Sequence, residues 1–303
     1  MTNQAIEIKG LVKWYGPVQA LRGVNLEVHQ GEILGFLGPN GAGKTTTIRC
    51  LLDQIRPQEG KIRVLGLNPQ KSPVMVQRKT GYLPGELNLE GTLRVQQLLN
   101  YLKNLRGNEI DEDYLQQLTE RLELDTSRTI KNLSSGNKQK VGVVQALMHQ
   151  PELLILDEPT SGLDPLMQQV VYQILREAQS RGTTVFFSSH ILSEVETLAD
   201  RVAIIRGGVI VEESTPAKLT EMALRRVQVS FLDKVDPGPL EKVAGVKIHS
   251  WRGETALSLQ VEGNMDGLIK ALAKLPVKDL KTSSHSLEEI FLKYYRDGVK
   301  EVN

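Results

Sequence analysis

Residues 38–45 read GPNGAGKT, the spacing G-x-x-x-x-G-K-[ST] that cradles phosphate. The candidate nucleotide cradle is Gly38, Pro39, Asn40, Gly41, Ala42, Gly43, Lys44, Thr45 and Thr46. Its glycines let backbone N–H groups point inward at phosphate oxygens. Lys44 is placed to reach the β and γ phosphates, Thr45 offers a hydroxyl to Mg²⁺, and the helix that starts at Lys44 adds its positive end. Far downstream, LLILDEP closes an apolar run with Asp157 and Glu158. Side chains alternate along a strand, so the adjacent acids point to different places. Asp157 would hold Mg²⁺ through water, and Glu158 would polarise an attacking water as general base. Two acids ending a strand read by themselves as loop or cap residues; the phosphate loop is what gives them this chemistry. His190 comes directly after the apolar TTVFFSS and is either a helix-cap neighbour or a γ-phosphate contact that orients the nucleophile. Tyr15, in KWYG, could stack on a base or simply pack beside the Gly-Pro turn, and Trp14 is expected to pack.

A second anion site is written into NLSSGNKQK, Asn132 to Lys140. This small polar turn runs straight into an apolar helical pattern, so Ser134, Ser135 and Gly136 present hydroxyl and N–H donors at a helix N-terminus. An ordinary Ser/Gly helix cap looks the same.

The elements that must position these groups are set by periodicity. Ile6 to Leu11 and LRGVNLEVHQGE read as strands, and EILGFLGPNGAGKTT as strand, loop and helix start. Ile48, Leu51, Leu52 and Ile55 share one face of that helix, which Pro57 is expected to stop. From Gly91 to about Gln150 the pattern turns helical. One stripe is Leu98, Leu99, Leu102 and Leu105, ended by Gly107; another is Leu115, Leu118 and Leu122; a third is Val141, Val144 and Met148. LLILDEP and TTVFFSSH are apolar strands with a helical segment between them, which predicts a parallel sheet covered on both faces. RVAIIRGGVIVEES reads as a hairpin turning at Gly207-Gly208. From Arg226 the order becomes strand, helix, strand, strand, helix, strand and a final helix from Ser286, a ferredoxin-like βαββαβ unit. The expected boundary lies near Thr220.

The 303 residues are 40% apolar and 24% charged with net charge +1, the composition of a globular protein with a sizeable core. Acids and bases are interleaved, so no basic stripe points to nucleic acid. The single cysteine, Cys50, excludes a disulfide framework or a Cys-rich metal site and is consistent with a reducing cytoplasm. MTNQAIEIKG has no signal-peptide core, and the longest apolar runs are too short to span a bilayer. A transport role therefore calls for a membrane partner.

GPNGAGKTT, LSSGNKQK, LLILDEPTSGLD and FFSSH, in this order, resemble the ATP-binding subunits of ABC transporters across roughly residues 5 to 215. The resemblance implies an α/β P-loop NTPase fold: a RecA-like core with an antiparallel β subdomain and an inserted helical subdomain at about 87–150. This ATP-binding domain would span 1–220, with an α+β ferredoxin-like domain after it at 221–303. It implies ATP hydrolysis with Mg²⁺, a homodimer or paired ATPase subunit, and a transmembrane permease that holds the chain on the inner face of the membrane and binds the transported substrate. In that family the LSGGQ-type signature binds the γ-phosphate of ATP held by the opposite subunit, which would explain the second anion site. Asp164 of SGLD resembles the loop that crosses the dimer interface and would help link the two sites; an Asp-Pro turn before Pro165 is the simpler reading.

The chain departs from the family at Ser135, where glycine is usual, and at Asn137, where glutamine is usual. In GYLPGE, Gly85 stands where a magnesium-contacting glutamine is usual; Glu86, the next residue, is expected to bear on transport coupling more than on ATP affinity. SLEEIFLKYYRDG, Ser286 to Gly298, resembles the end of drug-export and ABC-2-type ATPases, which implies an exporter. Related soluble ATPases of DNA maintenance carry a long coiled coil between their halves, and ribosome-associated ones hold two ATP units in one chain. Small-molecule kinases and GTPases lack the signature.

Overall fold

The computed structural model of the chain describes residues 4–106, 110–222, 225–261 and 264–283. The chain divides into two compact units, Met1–Pro216 and Ala217–Asn303.

At the centre of the first unit is a six-stranded sheet in the order β5 (Thr80–Leu83), β6 (Leu153–Asp157), β7 (Thr184–Ser189), β3 (Ile33–Leu37), β8 (Arg201–Arg206), β9 (Val209–Ser214). All neighbours are parallel except β8 and β9. Strands β3, β6 and β7 are buried along their whole length, as continuous apolar runs in a covered parallel sheet must be. The β8–β9 turn is Gly207-Gly208, with φ of 51° and 81°, the left-handed pair that a two-residue hairpin of the primed type demands. The order places three strand ends side by side: β7 pairs Ser188 with Asp157 of β6 and Ser189 with Leu37 of β3. The loops that leave Leu37, Asp157 and Ser189 must therefore meet at one sheet edge.

A second, antiparallel sheet runs β2 (Val18–His29), β1 (Gln4–Tyr15), β4 (Glu59–Val64). Its inner residues Ile6, Ile8, Leu26 and Val64 share a core with Phe36 and Phe186, whose rings lie 5.3 Å apart. Each fully buried aromatic or aliphatic side chain of this kind contributes about 1.5–3 kcal/mol.

The helices of this unit are α1 (Lys44–Leu51), α2 (Pro73–Lys79), α3 (Val95–Leu105), α4 (Glu112–Arg121), α5 (Ser135–Leu147), α6 (Pro165–Ser180) and α7 (Leu192–Leu198). Helix α6 begins with Asp164 as N-cap and Pro165 in its first turn, a strong start signal. Helix α5 packs on β5 so closely that a Cβ on Gly81 would lie 2.0 Å from the carbonyl oxygen of Ala146.

Three expectations need correction. Helix α1 ends at Leu51 because Asp53 turns left-handed, with φ 53°; Ile55 packs on the core from outside the helix, and Pro57 does not end it. Leu105 closes no buried stripe: it is 65% exposed, while Leu98 and Leu99 are buried. Trp14 is exposed rather than packed away. The stretch from Glu59 to Leu83 forms β4, α2 and β5, three elements that periodicity does not reveal. Gly107 lies outside the described residues.

The junction carries α8 (Pro216–Met222). The second unit is β10 (Arg225–Phe231), α9 (Gly238–Glu241), β11 (Val246–Arg252), β12 (Ala256–Val261), α10 (Asp266–Leu272) and β13 (Val277–Ser283). Its sheet order β11-β12-β10-β13, antiparallel throughout, is the ferredoxin-like arrangement. Val227, Val229, Phe231, Leu257 and Leu259 alternate onto one face, where Leu240 of α9 and Leu268 and Leu272 of α10 complete the core. The final helix expected from Ser286 lies outside the described residues.

Candidate functional site

The loop after β3 wraps into a cradle because Gly43 takes φ 113°, a backbone that side chains resist, and passes directly into α1. A cavity of about 150 Å³ sits over it, lined by residues 39–46 with Ala20 and Glu158. Lys44 is buried and donates from Nζ to the carbonyl oxygens of Gly38 at 2.7 Å and Pro39 at 3.3 Å. Burial lowers the pKa of its ammonium, against the opposing pull of the Glu158 and Asp157 charges.

The two acids divide as strand alternation requires. Asp157 is buried: Thr45 donates to its Oδ2 at 2.7 Å and Ser188 donates to its Oδ1. Glu158 sits one residue past the strand with φ 54°, left-handed for a residue that has a Cβ. That twist sends its carboxylate the other way. Its Oε1 lies 3.8 Å from Lys44 Nζ and 3.0 Å from His190 Nδ1. The strained backbone is braced on both sides. The Glu158 N–H donates to Ser188 O and Oγ, each at 3.2 Å, and Gln139 Nε2 donates to the carbonyls of Glu158 at 2.9 Å and Pro159 at 3.1 Å.

A second cavity of about 280 Å³ is shared by Thr45, Asp157 and Glu158 with Arg49, Gly85 and Glu86. The backbone at Gly85 lies close enough that a Cβ there would be 3.1 Å from Asp157 Oδ2. Glu86 thus brings a third carboxylate to the cavity that holds Thr45 and Asp157. Among the described residues no group of three or more His, Cys, Asp or Glu is arranged to hold a metal. The Thr45 hydroxyl and the Asp157 carboxylate still suit Mg²⁺, which takes one or two protein oxygens and completes its shell with phosphate and water.

The signature residues stand elsewhere. Ser134 caps α5, its Oγ accepting the Asn137 N–H at 3.3 Å, and Ser135 and Gly136 form the first turn. None of the three lines either cavity beside the phosphate loop. Ser135 and Gly136 pack instead on the chain's own SGLD loop: a Cβ on Gly136 would lie 2.6 Å from Gly162 O. Asp164 spends its carboxylate as the α6 cap, Oδ1 accepting Met167 N–H at 3.0 Å. Tyr15 is exposed, with the Lys13 ammonium 5.4 Å from its ring centre, and does not line the loop cavity, whereas Ala20 does.

The structure therefore gathers Lys44, Thr45, Asp157, Glu158 and His190 and leaves Tyr15, Ser134, Ser135, Gly136 and Asp164 outside that cluster. Sequence reading missed Gln139, Ser188 and Arg49. Ser188 could have been found from its place directly before Ser189-His190; Gln139 and Arg49 carry no signal beyond a helical position.

The sequence matches the ABC transporter family over residues 21–161. It is 41% identical over 216 residues to the bacitracin transport ATP-binding protein BcrA of Bacillus licheniformis, covering 69% of each chain. It is 32% identical over 304 residues to the daunorubicin/doxorubicin resistance ATP-binding protein DrrA of Streptomyces peucetius, covering 96% of this chain and 92% of that one. It is also 32% identical to the Nod factor export ATP-binding protein I of Rhizobium meliloti, over 95% of this chain and 87% of that one. A solved ATP-binding subunit of an ABC transporter superposes with TM-score 0.65 at 29% identity, over 71% of this chain and 91% of that one. An ATP-binding cassette solved as a dimer with ADP and Pi shares the fold, with TM-score 0.63 at 22% identity over 70% of this chain and 98% of that one. With the phosphate cradle, the split acids and these likenesses together, the chain belongs to the ABC transporter family and is one of its ATP-binding subunits.

Proposed function

We propose that this chain hydrolyses ATP to drive export through a separate membrane permease, as a head-to-tail pair of copies that clamps two nucleotides. The observation that carries the reading is Glu158, whose Oε1 lies between Lys44 Nζ and His190 Nδ1 at the mouth of the phosphate cradle. Lys44 and the loop N–H groups hold the β and γ phosphates. Magnesium, at Thr45 and Asp157, would neutralise phosphate charge. Glu158 accepts a proton from the attacking water as its oxygen bonds to the γ phosphorus and the bond to the β-phosphate oxygen breaks; ADP and phosphate leave. His190 orients the carboxylate and reaches the γ-phosphate. Ser134, Ser135 and Gly136 grip the γ-phosphate in the other copy's cradle, Asp164 lies near the line between copies, and Tyr15 stacks on the base. ATP draws the copies together and phosphate loss releases them, a population shift between closed and open pairs.

The names of the relatives, bacitracin transport, daunorubicin resistance and Nod factor export, favour export. No described helix is long and apolar enough to cross a membrane. The proposed permease is moved through the helical segment at about 87–150 and the loop around Gly85. The ATP-binding domain spans 1–220 and the accessory domain 221–303, with the chain peripheral on the cytoplasmic face.

The test uses two variants of the full chain. Glu158→Gln is expected to keep ATP binding, slow hydrolysis by roughly 10²–10⁴-fold and accumulate an ATP-bound dimer on a sizing column. Lys44→Ala is expected to lose nucleotide binding itself. Wild-type turnover by Glu158→Gln would remove Glu158 as the base.

A further inference from the structure

Glu194, in α7, is a buried carboxylate, 7% exposed, whose oxygens are met by hydroxyls rather than by a cation. Thr160 donates to its Oε1, and Ser189 donates to its Oε2 at 2.5 Å. A charge taken out of water is expensive unless hydrogen bonds satisfy it, so these two hydroxyls are what makes the site tolerable. They come from the two loops that matter. Thr160 lies just past Glu158, and Ser189 directly precedes His190. Ser189 Oγ also accepts the Ile191 N–H at 2.9 Å, so the backbone is fixed on both sides of His190.

The sheet cannot supply this alignment alone. Its last rungs here pair Asp157 with Ser188 and Leu37 with Ser189; beyond them β6 and β7 diverge into loops. Backbone contact continues only one step, through the Glu158 N–H to Ser188 O at 3.2 Å and the Gly38 N–H to Ser189 O at 3.1 Å among the described residues. The Glu194 carboxylate ties the two loops together one step further out, where the side chains that do the chemistry begin. Tyr172 of α6, itself buried, packs near it; burial first, then the Glu194 charge, pushes the Tyr172 phenol up to about 12.

We propose that Glu194 is a positioning residue: by clamping the Thr160 and Ser189 hydroxyls it holds His190 Nδ1 at 3.0 Å from Glu158 Oε1. It rests on the reading of Glu158 as base and His190 as its orienting partner. Its carboxylate meets the Thr160 and Ser189 hydroxyls, and its effect reaches the reaction through His190 and Glu158.

The experiment is steady-state ATP hydrolysis by the full chain, with ATP affinity and melting temperature measured on the same samples. Glu194→Gln keeps the shape but can accept from only one of the two hydroxyls. Thr160→Val keeps the shape and removes the donor, and Thr160→Ser keeps the donor. Glu194→Gln and Thr160→Val are expected to lower kcat about 10-fold or more with ATP affinity within about 2-fold of wild type, and Thr160→Ser to hydrolyse like wild type. In a His190→Ala background, Glu194→Gln is expected to cause no further loss, because both changes break one unit. Wild-type kcat in Thr160→Val would overturn the proposal. So would the same fractional loss from Glu194→Gln with and without His190. Should Glu194→Gln fail to fold, the Thr160 pair decides alone. The Glu158→Gln variant tests the underlying base assignment independently of Glu194.

Discussion

The backbone of Glu158, the proposed general base, explains why the adjacent acids point to different partners. A left-handed φ of 54° costs a residue with a Cβ on the order of 1–3 kcal/mol. Ser188 and Gln139 hold it there, and the reward is a carboxylate aimed at Lys44 and His190 while Asp157 stays on Thr45. His149, just past α5, shows the opposite use of burial. Both ring nitrogens are buried, and burial first, then the Arg106 charge, pushes its pKa down to about 4 from 6.5. Between those values the unfolded chain binds a proton that the folded chain refuses. Its contribution to stability is thus complete above pH 6.5 and falls away as pH drops toward 4, by about 3 kcal/mol in all. The melting temperature is expected to fall between pH 7 and pH 5, and His149→Gln to flatten that fall; a parallel slope in the variant would assign the acid sensitivity elsewhere.

At the scale of elements, α5 and β5 form the contact with least slack. With Ala146 O only 2.0 Å from a Cβ at Gly81, Gly81→Ala must push helix and strand apart, at an expected cost of at least about 2 kcal/mol. Chemical denaturation would measure it, and an unchanged midpoint would show that the packing can yield. Elements of this kind also mark what could be read in advance. The phosphate loop, the acid-ended strand and the Gly207-Gly208 hairpin were legible because each is fixed by neighbours in sequence. The βαββαβ order of the second unit was legible because its strands alternate cleanly, as Val227, Val229 and Phe231 do. The stretch from Glu59 to Leu83 was not: β4 has only Ile62 and Val64 buried, α2 only Val76, and neither gives a period to count. The early end of α1 depends on a left-handed Asp53, which sequence spacing does not reveal. The braces at Gln139, Ser188 and Glu194 tie loops together through a few side-chain hydrogen bonds, which leave no periodic trace.

At the scale of the whole molecule, the decisive feature is where α5 begins. Ser134, Ser135 and Gly136 line neither cavity beside their own phosphate loop, and Ser135 and Gly136 pack on the loop at Gly162. If each cradle is finished by the facing copy, faults in different loops need not coincide in one pocket. A copy silenced at Lys44 still lends a sound signature helix, and a copy silenced at Ser135 still keeps a sound cradle. Mixed in equal amounts, two inert preparations, Lys44→Ala and Ser135→Arg, are expected to regain roughly a quarter of wild-type hydrolysis, since half the pairs are mixed and each mixed pair rebuilds one pocket. Were the mixture to stay as inert as its parts, each cradle would have to be completed within its own chain. Such rescue by complementation would make inheritance of the two defects a matter of pairing: two broken alleles in one cell could sustain a transporter that neither sustains alone.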